Sequence, residues 1–136
     1  STTFVIKTGQ SVKFVATSAN QWTAVESTAG LGKNADFASI LGVNGIQKLP
    51  GGTIIQRGSG SASSGTTVVM FPIAFPTACR QVIVVENLAG GWDASNVTVY
   101  GTAGKSATGV TVRSMNWNGS AWLRAGGLFD YIAIGD

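Results

Sequence analysis

At 136 residues the chain is the size of one ordinary domain, or of one domain with a small appendage. Only 11% of it is charged against a usual ~25%, while 44% is apolar and 19 residues are Gly, so either a Ser/Thr/Asn coat solvates the surface or apolar faces are buried against copies of the same chain. The net charge of +3 comes from nine Lys and Arg scattered singly, which argues against nucleic-acid binding; a single Cys and no His exclude an intrachain disulfide and a thiolate metal site, and no segment reads as a membrane span or signal peptide.

The first 25 residues predict three short strands, Thr3 to Lys7, Ser11 to Ala16 and Gln21 to Val25, broken at Thr8-Gly9 and at Ser18-Ala19-Asn20. Val12, Phe14 and Ala16 alternate with Ser11, Lys13 and Val15, giving one buried and one wetter face. So small a sheet encloses no core alone and needs a partner, which three copies about one axis would supply. After a Gly-punctuated connector at Ser27 to Asn34, the spacing of Phe37, Ile40 and Leu41 predicts a short helix over Ala35 to Val43, ending at Gly42 or Gly45. Its apolar stripe meets either the same stripe on two neighbours or its own domain's core.

From Gly45 to Cys79 the text holds all three prolines. It describes a Pro50-Gly51 turn, a strand over Thr53 to Arg57, a flexible Gly/Ser hairpin connection, and a strand over Thr67 to Phe71 stopped by two Phe-Pro steps that force extended backbone. Further strands are expected at Gln81 to Glu86, Asn96 to Tyr100, Gly109 to Trp117, Trp122 to Arg124 and Phe129 to Ile134, spaced as in an antiparallel sandwich. Val82 and Val84 alternate with Ile83 and Val85, so both faces of that strand are apolar and it is expected near the middle of a sheet.

Several motifs carry less than they suggest. Gly101 to Ser106 reads GTAGKS, but Val99 stands where a phosphate-binding loop needs its first glycine and no helix pattern follows, so a turn between strands is expected. Asn118-Gly119 reads as a tight hairpin turn. The six acids, Glu26, Asp36, Glu86, Asp93, Asp130 and Asp136, do not cluster in sequence, and no His or metal-ligand spacing supports catalysis. Cys79 reads as a buried structural thiol with nothing to activate it.

Three segments together resemble a known family: Leu49 to Gly58 (LPGGTIIQRG), Phe71 to Cys79 (FPIAFPTAC) and the closing Tyr131 to Gly135 (YIAIG). In this order they are similar to the C-terminal tip domain of tailed-bacteriophage tail-fibre proteins, over Asp36 to Asp136. Arg57 stands where that family often has Trp, and Asp136 where an aromatic residue is common. The resemblance implies a homotrimeric, all-β, non-enzymatic receptor-binding tip, made in the host cytoplasm and carried on the virion. The fold expected is an antiparallel β-sandwich tip (residues 51–136) after a small N-terminal β segment (1–33) and a short helical neck (34–50). A first residue of Ser rather than Met suits a segment of a longer polypeptide.

Such a tip needs flat aromatics beside amide, carboxylate or guanidinium groups, because sugars present apolar CH faces and hydroxyl edges. Two loops carry that combination. Ala89 to Asn96 sets Trp92 beside Asp93 and Asn96, and a second cluster holds Trp117, Asn118, Ser120 and Trp122, with Arg124 close behind. Each Trp suits a core plug equally well; Trp92, in the most Gly-rich and polar setting, is the best candidate for an exposed contact. The expected partners are two further copies of the chain and a bacterial surface polysaccharide, with lipopolysaccharide as the leading target, and no nucleic acid, cofactor, metal or membrane insertion. The positive balance favours encounter with an anionic surface such as phosphorylated lipopolysaccharide. Competing expectations are a monomeric carbohydrate-binding module of a bacterial secreted protein and a polysaccharide depolymerase.

Overall fold

The structure is a computed structural model that describes residue 8 and residues 11–27, 37–87 and 92–136. The first expected strand, Thr3 to Lys7, lies outside the described residues. Strands β1 (Val12–Ser18) and β2 (Gln21–Ser27) pair as a separate antiparallel hairpin. Its turn places Asn20 at a φ of 62°, a left-handed conformation that Asn tolerates.

No α-helix forms in residues 37–43, where only Phe37 is in a 3-10 turn, contrary to the periodicity of Phe37, Ile40 and Leu41. Strands β3 (Ser39–Ile40) and β4 (Gly45–Lys48) pair there instead. The Lys48 N–H donates to the Ala38 carbonyl at 2.9 Å and Gln47 Nε2 donates to the Phe37 carbonyl at 3.2 Å. A seven-residue stripe next to a glycine-broken segment is too short to hold a helix against a waiting strand. Ile40 and Leu41 are consequently exposed.

The Leu49 to Gly52 turn follows, with Gly51 and Gly52 at φ of 90° and 92°. Strand β5 then runs Ile54–Ala62, straight through most of the Gly/Ser run expected to be a loose connection. The reason lies across the sheet. Gly58 and Gly60 face Tyr131 and Phe129 of β11 (Gly127–Gly135). A Cβ at Gly60 would sit 2.6 Å from the Phe129 ring, and one at Gly58 would sit 2.7 Å from Tyr131. The glycines are seats for two buried rings, and the turn itself is only Ser63 to Gly65.

Strands β6 (Thr66–Met70), β7 (Cys79–Glu86), β8 (Val97–Lys105), β9 (Gly109–Trp117) and β10 (Trp122–Arg124) complete the chain. They form two antiparallel sheets. The larger has the order β3-β4-β5-β11-β7; in the smaller, β9 pairs with β6, β8 and β10. The two sheets enclose one core of Ile54, Val82, Val110, Val112, Phe129 and Ala133, closed by Phe71 and Phe75. The sandwich is as expected, but β7 is an edge strand, because β11 occupies the position beside β5. Its outward side chains Ile83 and Val85 are about half-exposed in the single chain. GTAGKS lies within β8 up to Lys105, with a bulge at Gly104 (φ 59°), and the turn follows it.

The FPIAFP segment has no strand partner, and a buried side chain supplies one. Gln56, fully buried, donates from Nε2 to the Ile73 carbonyl (2.9 Å) and accepts the Ile73 N–H on Oε1 (3.0 Å), reproducing a backbone ladder rung.

Candidate functional site

Register divides the sandwich into two ends. Lys48, Ile54, Gly135 and Cys79 lie in one row, and at this end the chain comes in past Ala38 and finishes at Asp136. The main-chain carbonyl of Asp136 accepts the Thr77 and Ala78 N–H groups, and its carboxylate pairs with Arg80 at 2.7 Å. The other end gathers Ala62, Gly127, Glu86 and the Val97, Trp117, Trp122 row. All the candidate ligand-binding residues lie at or near this second end.

The two loops read separately in the sequence are joined there. Trp117 donates its indole N–H to the Ala94 carbonyl at 3.1 Å, and Asn116 Nδ2 donates to Asn96 Oδ1 at 2.8 Å. Asp93 and Asn118 prove to be turn-holders. Asp93 Oδ1 accepts both the N–H and the hydroxyl of Ser95, each at 2.7 Å, and these bonds hold its carboxyl below the ordinary value. Asn118 Oδ1 accepts the N–H groups of Ser120 and Ala121 at 3.0 and 2.9 Å, and Gly119 takes a φ of 89°, as the expected tight turn requires.

The aromatic rings are not core plugs. Trp92 is 58% exposed and donates its indole N–H to Glu86. Trp122 is 47% exposed and lies against Trp117, ring centroids 5.7 Å apart. Trp117 is the more covered member of that pair. Trp122, Trp117, Arg124 and Met115 occupy one face, because paired residues of an antiparallel ladder project to the same side. That face is the outer surface of the smaller sheet, and it also carries Arg113 of β9, which sequence reasoning missed. Eleven positions separate Arg113 from Arg124, and only the β9–β10 pairing makes them neighbours. Among the described residues no group of His, Cys, Asp and Glu could hold a metal ion, and no helix is long and apolar enough to cross a membrane.

Comparison with solved structures finds the same fold. An N-truncated R2-type pyocin tail fiber matches with a TM-score of 0.60 and 21% identity, over 73% of this chain and 37% of that one. A Pseudomonas aeruginosa R2 pyocin fiber, represented by its C-terminal residues, matches with a TM-score of 0.57 and 25% identity, over 73% of this chain and 25% of that one. An N-truncated R1-type pyocin tail fiber matches with a TM-score of 0.58 and 22% identity, over 73% and 84% respectively. The chain thus spans well under half the length of the first two fibers. No curated protein sequence is significantly similar to it. Residues 48–136 match the family described as tail fiber protein gp53-like, C-terminal. With that span covering the LPGG, FPIAFP and YIAIG segments and most of both sheets, the chain belongs to the gp53-like tail fibre C-terminal family.

Proposed function

We propose that this chain is the distal tip of a tail fibre, that it attaches a phage or phage-like particle to a bacterial surface glycan, with lipopolysaccharide as the target, and that it does so without catalysis. The observation that carries the proposal is the exposure of Trp92 and Trp122 at the end of the sandwich opposite the chain's point of arrival. Asp93 and Asn118 keep the two turns in shape, and the ring faces are left for sugar CH groups. Each site is weak, and repetition over subunits and fibres gives firm attachment.

The tip works as a homotrimer. Support comes from the outer face of the larger sheet, where Ile83, Val85, Leu128 and Ile132 are all about half-exposed. A groove of about 490 Å³ lined by Val43, Arg57, Asp130 and Ile132 indents that face. Among the described residues the Arg57 guanidinium has no ion-pair or hydrogen-bond partner and the Asp130 carboxylate is bonded only by Asn87, so opposite charges sit ready for the neighbouring copy. Patches this apolar on a chain with few charges ordinarily mark an interface.

The test is adsorption of the purified chain to susceptible bacteria and to their isolated lipopolysaccharide. Trp92→Ala and Trp122→Ala should each weaken binding about tenfold, roughly 1.4 kcal/mol, without changing the melting temperature. A parent chain that adsorbs to no bacterial surface defeats the proposal. Release of oligosaccharides during the incubation overturns the non-catalytic part, and a solution mass of a single 13.9 kDa subunit favours the monomeric binding module.

A further inference from the structure

The outer face of the smaller sheet carries more than tryptophan. Its rows, read across the ladders, are Trp122–Trp117–Val97, then Arg124–Met115–Val99, then Thr66–Arg113–Gly101. Arg124 and Arg113 are diagonal neighbours across β10 and β9, which places their Cα atoms roughly 7 Å apart. Both are exposed, and neither guanidinium has a hydrogen-bond or ion-pair partner among the described residues. No carboxylate occupies these rows. The Arg124 stem is held, because its Cβ and Cγ lie against Gly65, 2.7 and 3.0 Å from where a Cβ there would stand. Beside Arg113 the face is open: a Cβ at Gly101 would meet nothing within 4 Å.

Two uncompensated guanidinium groups beside a half-exposed indole and a glycine that leaves the face uncrowded form a composite site. A planar five-donor fork suits phosphate or carboxylate, and the ring suits the apolar face of a sugar. Trp122 and Arg124, two residues apart on one strand, are separated by roughly 7 Å, about the reach from a pyranose ring to an acidic substituent. We infer that Arg113 and Arg124, with Trp122 and the open surface at Gly101, bind an anionic sugar residue, one carrying a phosphate or a carboxylate. The inference rests on the glycan-attachment reading above and names the class of glycan for it.

The experiment titrates the full chain with glucose 6-phosphate, glucuronate and glucose, following tryptophan fluorescence and the arginine side-chain NMR signals. At least one acidic sugar should bind about tenfold more tightly than glucose, shift the Arg113 and Arg124 signals, and weaken as salt is raised. Comparing the two acids tells phosphate from carboxylate recognition. The Arg113→Gln/Arg124→Gln double variant, altered only at exposed side chains, should lose that preference while melting as the parent does. Gly101→Val should block the acidic sugar at unchanged or higher stability, since its Cβ enters open space and Val favours strand. Glucose binding as tightly as both acids, or unchanged acid binding in the double variant, overturns the inference. If the parent adsorbs to bacteria in a Trp122-dependent way while no acidic sugar binds, only this inference falls. If the parent adsorbs to no bacteria, the attachment reading falls, whatever the sugar titrations show.

Discussion

Where the chain arrives and finishes, polar groups turn inward: Gln56 pairs with Ile73, the Asp136 carbonyl takes the Thr77 and Ala78 N–H groups, and Phe75 lies over Gly135. At the opposite end the Asp93 and Asn118 side chains close their own turns, Trp117 and Asn116 tie the two loops together, and the faces of Trp92 and Trp122 are left in solvent. On the attachment reading proposed above, the first end serves persistence and the second contact. Both use the same inventory of amides and rings, and the difference lies in burial: Gln56 and Phe75 are enclosed, whereas Trp92 and Trp122 are exposed.

If that contrast holds, damage at the two ends should separate into lost stability and lost binding. The largest stability effect is expected at Gln56→Leu, which leaves both Ile73 backbone groups without their partner and should cost about 2–4 kcal/mol by urea denaturation at fixed protein concentration. A loss below about 0.5 kcal/mol would mean that the Phe rings and the Phe71 and Phe75 N–H bonds to Thr108 and Ala107 hold the FPIAFP segment without Gln56. Gly60→Ala comes next, at about 1–3 kcal/mol, because its Cβ would collide with the fully buried Phe129 ring. Asn118→Ala, at the contact end, should cost only about 0.5–1.5 kcal/mol while lowering adsorption, since a slack turn displaces Trp117 and Trp122. Equal stability losses at Gln56 and Asn118 would erase the contrast.

Two chemical tests sharpen it further. Cys79 is buried at the persistent end, and burial pushes its thiol above the ordinary 9.0, outweighing the nearby Lys105 charge. Iodoacetamide at pH 8 should leave it unmodified until urea unfolds the chain; rapid alkylation of native protein would show that end to be open. The smallest effect concerns Asp136, whose carboxyl is held below 3.8 chiefly by the hydrogen bond from Arg80. A lowered folded value means that its contribution is present above pH 3.8 and disappears as the pH falls through the folded value. The melting temperatures of parent and Asp136→Asn should therefore differ slightly at neutral pH and converge under acid. Both groups are exposed, so the neutral-pH gap should be small.

What the residues determined by themselves was the class of fold and the family. Alternating apolar runs set period-two strands, Pro and Gly marked the turns at Pro50 and Asn118, and the LPGG, FPIAFP and YIAIG segments identified a fibre tip, all of them signals carried within a few consecutive residues. The Trp-bearing loops were legible for the same reason. Only the tertiary structure decided what depends on a distant partner. Ser39 and Ile40 became strand because β4 lay beside them, and most of the Gly/Ser run became β5 because Phe129 and Tyr131 needed seats. It put β7 at an edge, joined the two Trp-bearing loops through Trp117 and Asn116, and brought Arg113 beside Arg124. Local propensity and pattern are properties of neighbours in sequence, whereas pairing order and side-chain partnership follow from chain segments tens of residues apart, which no short window contains.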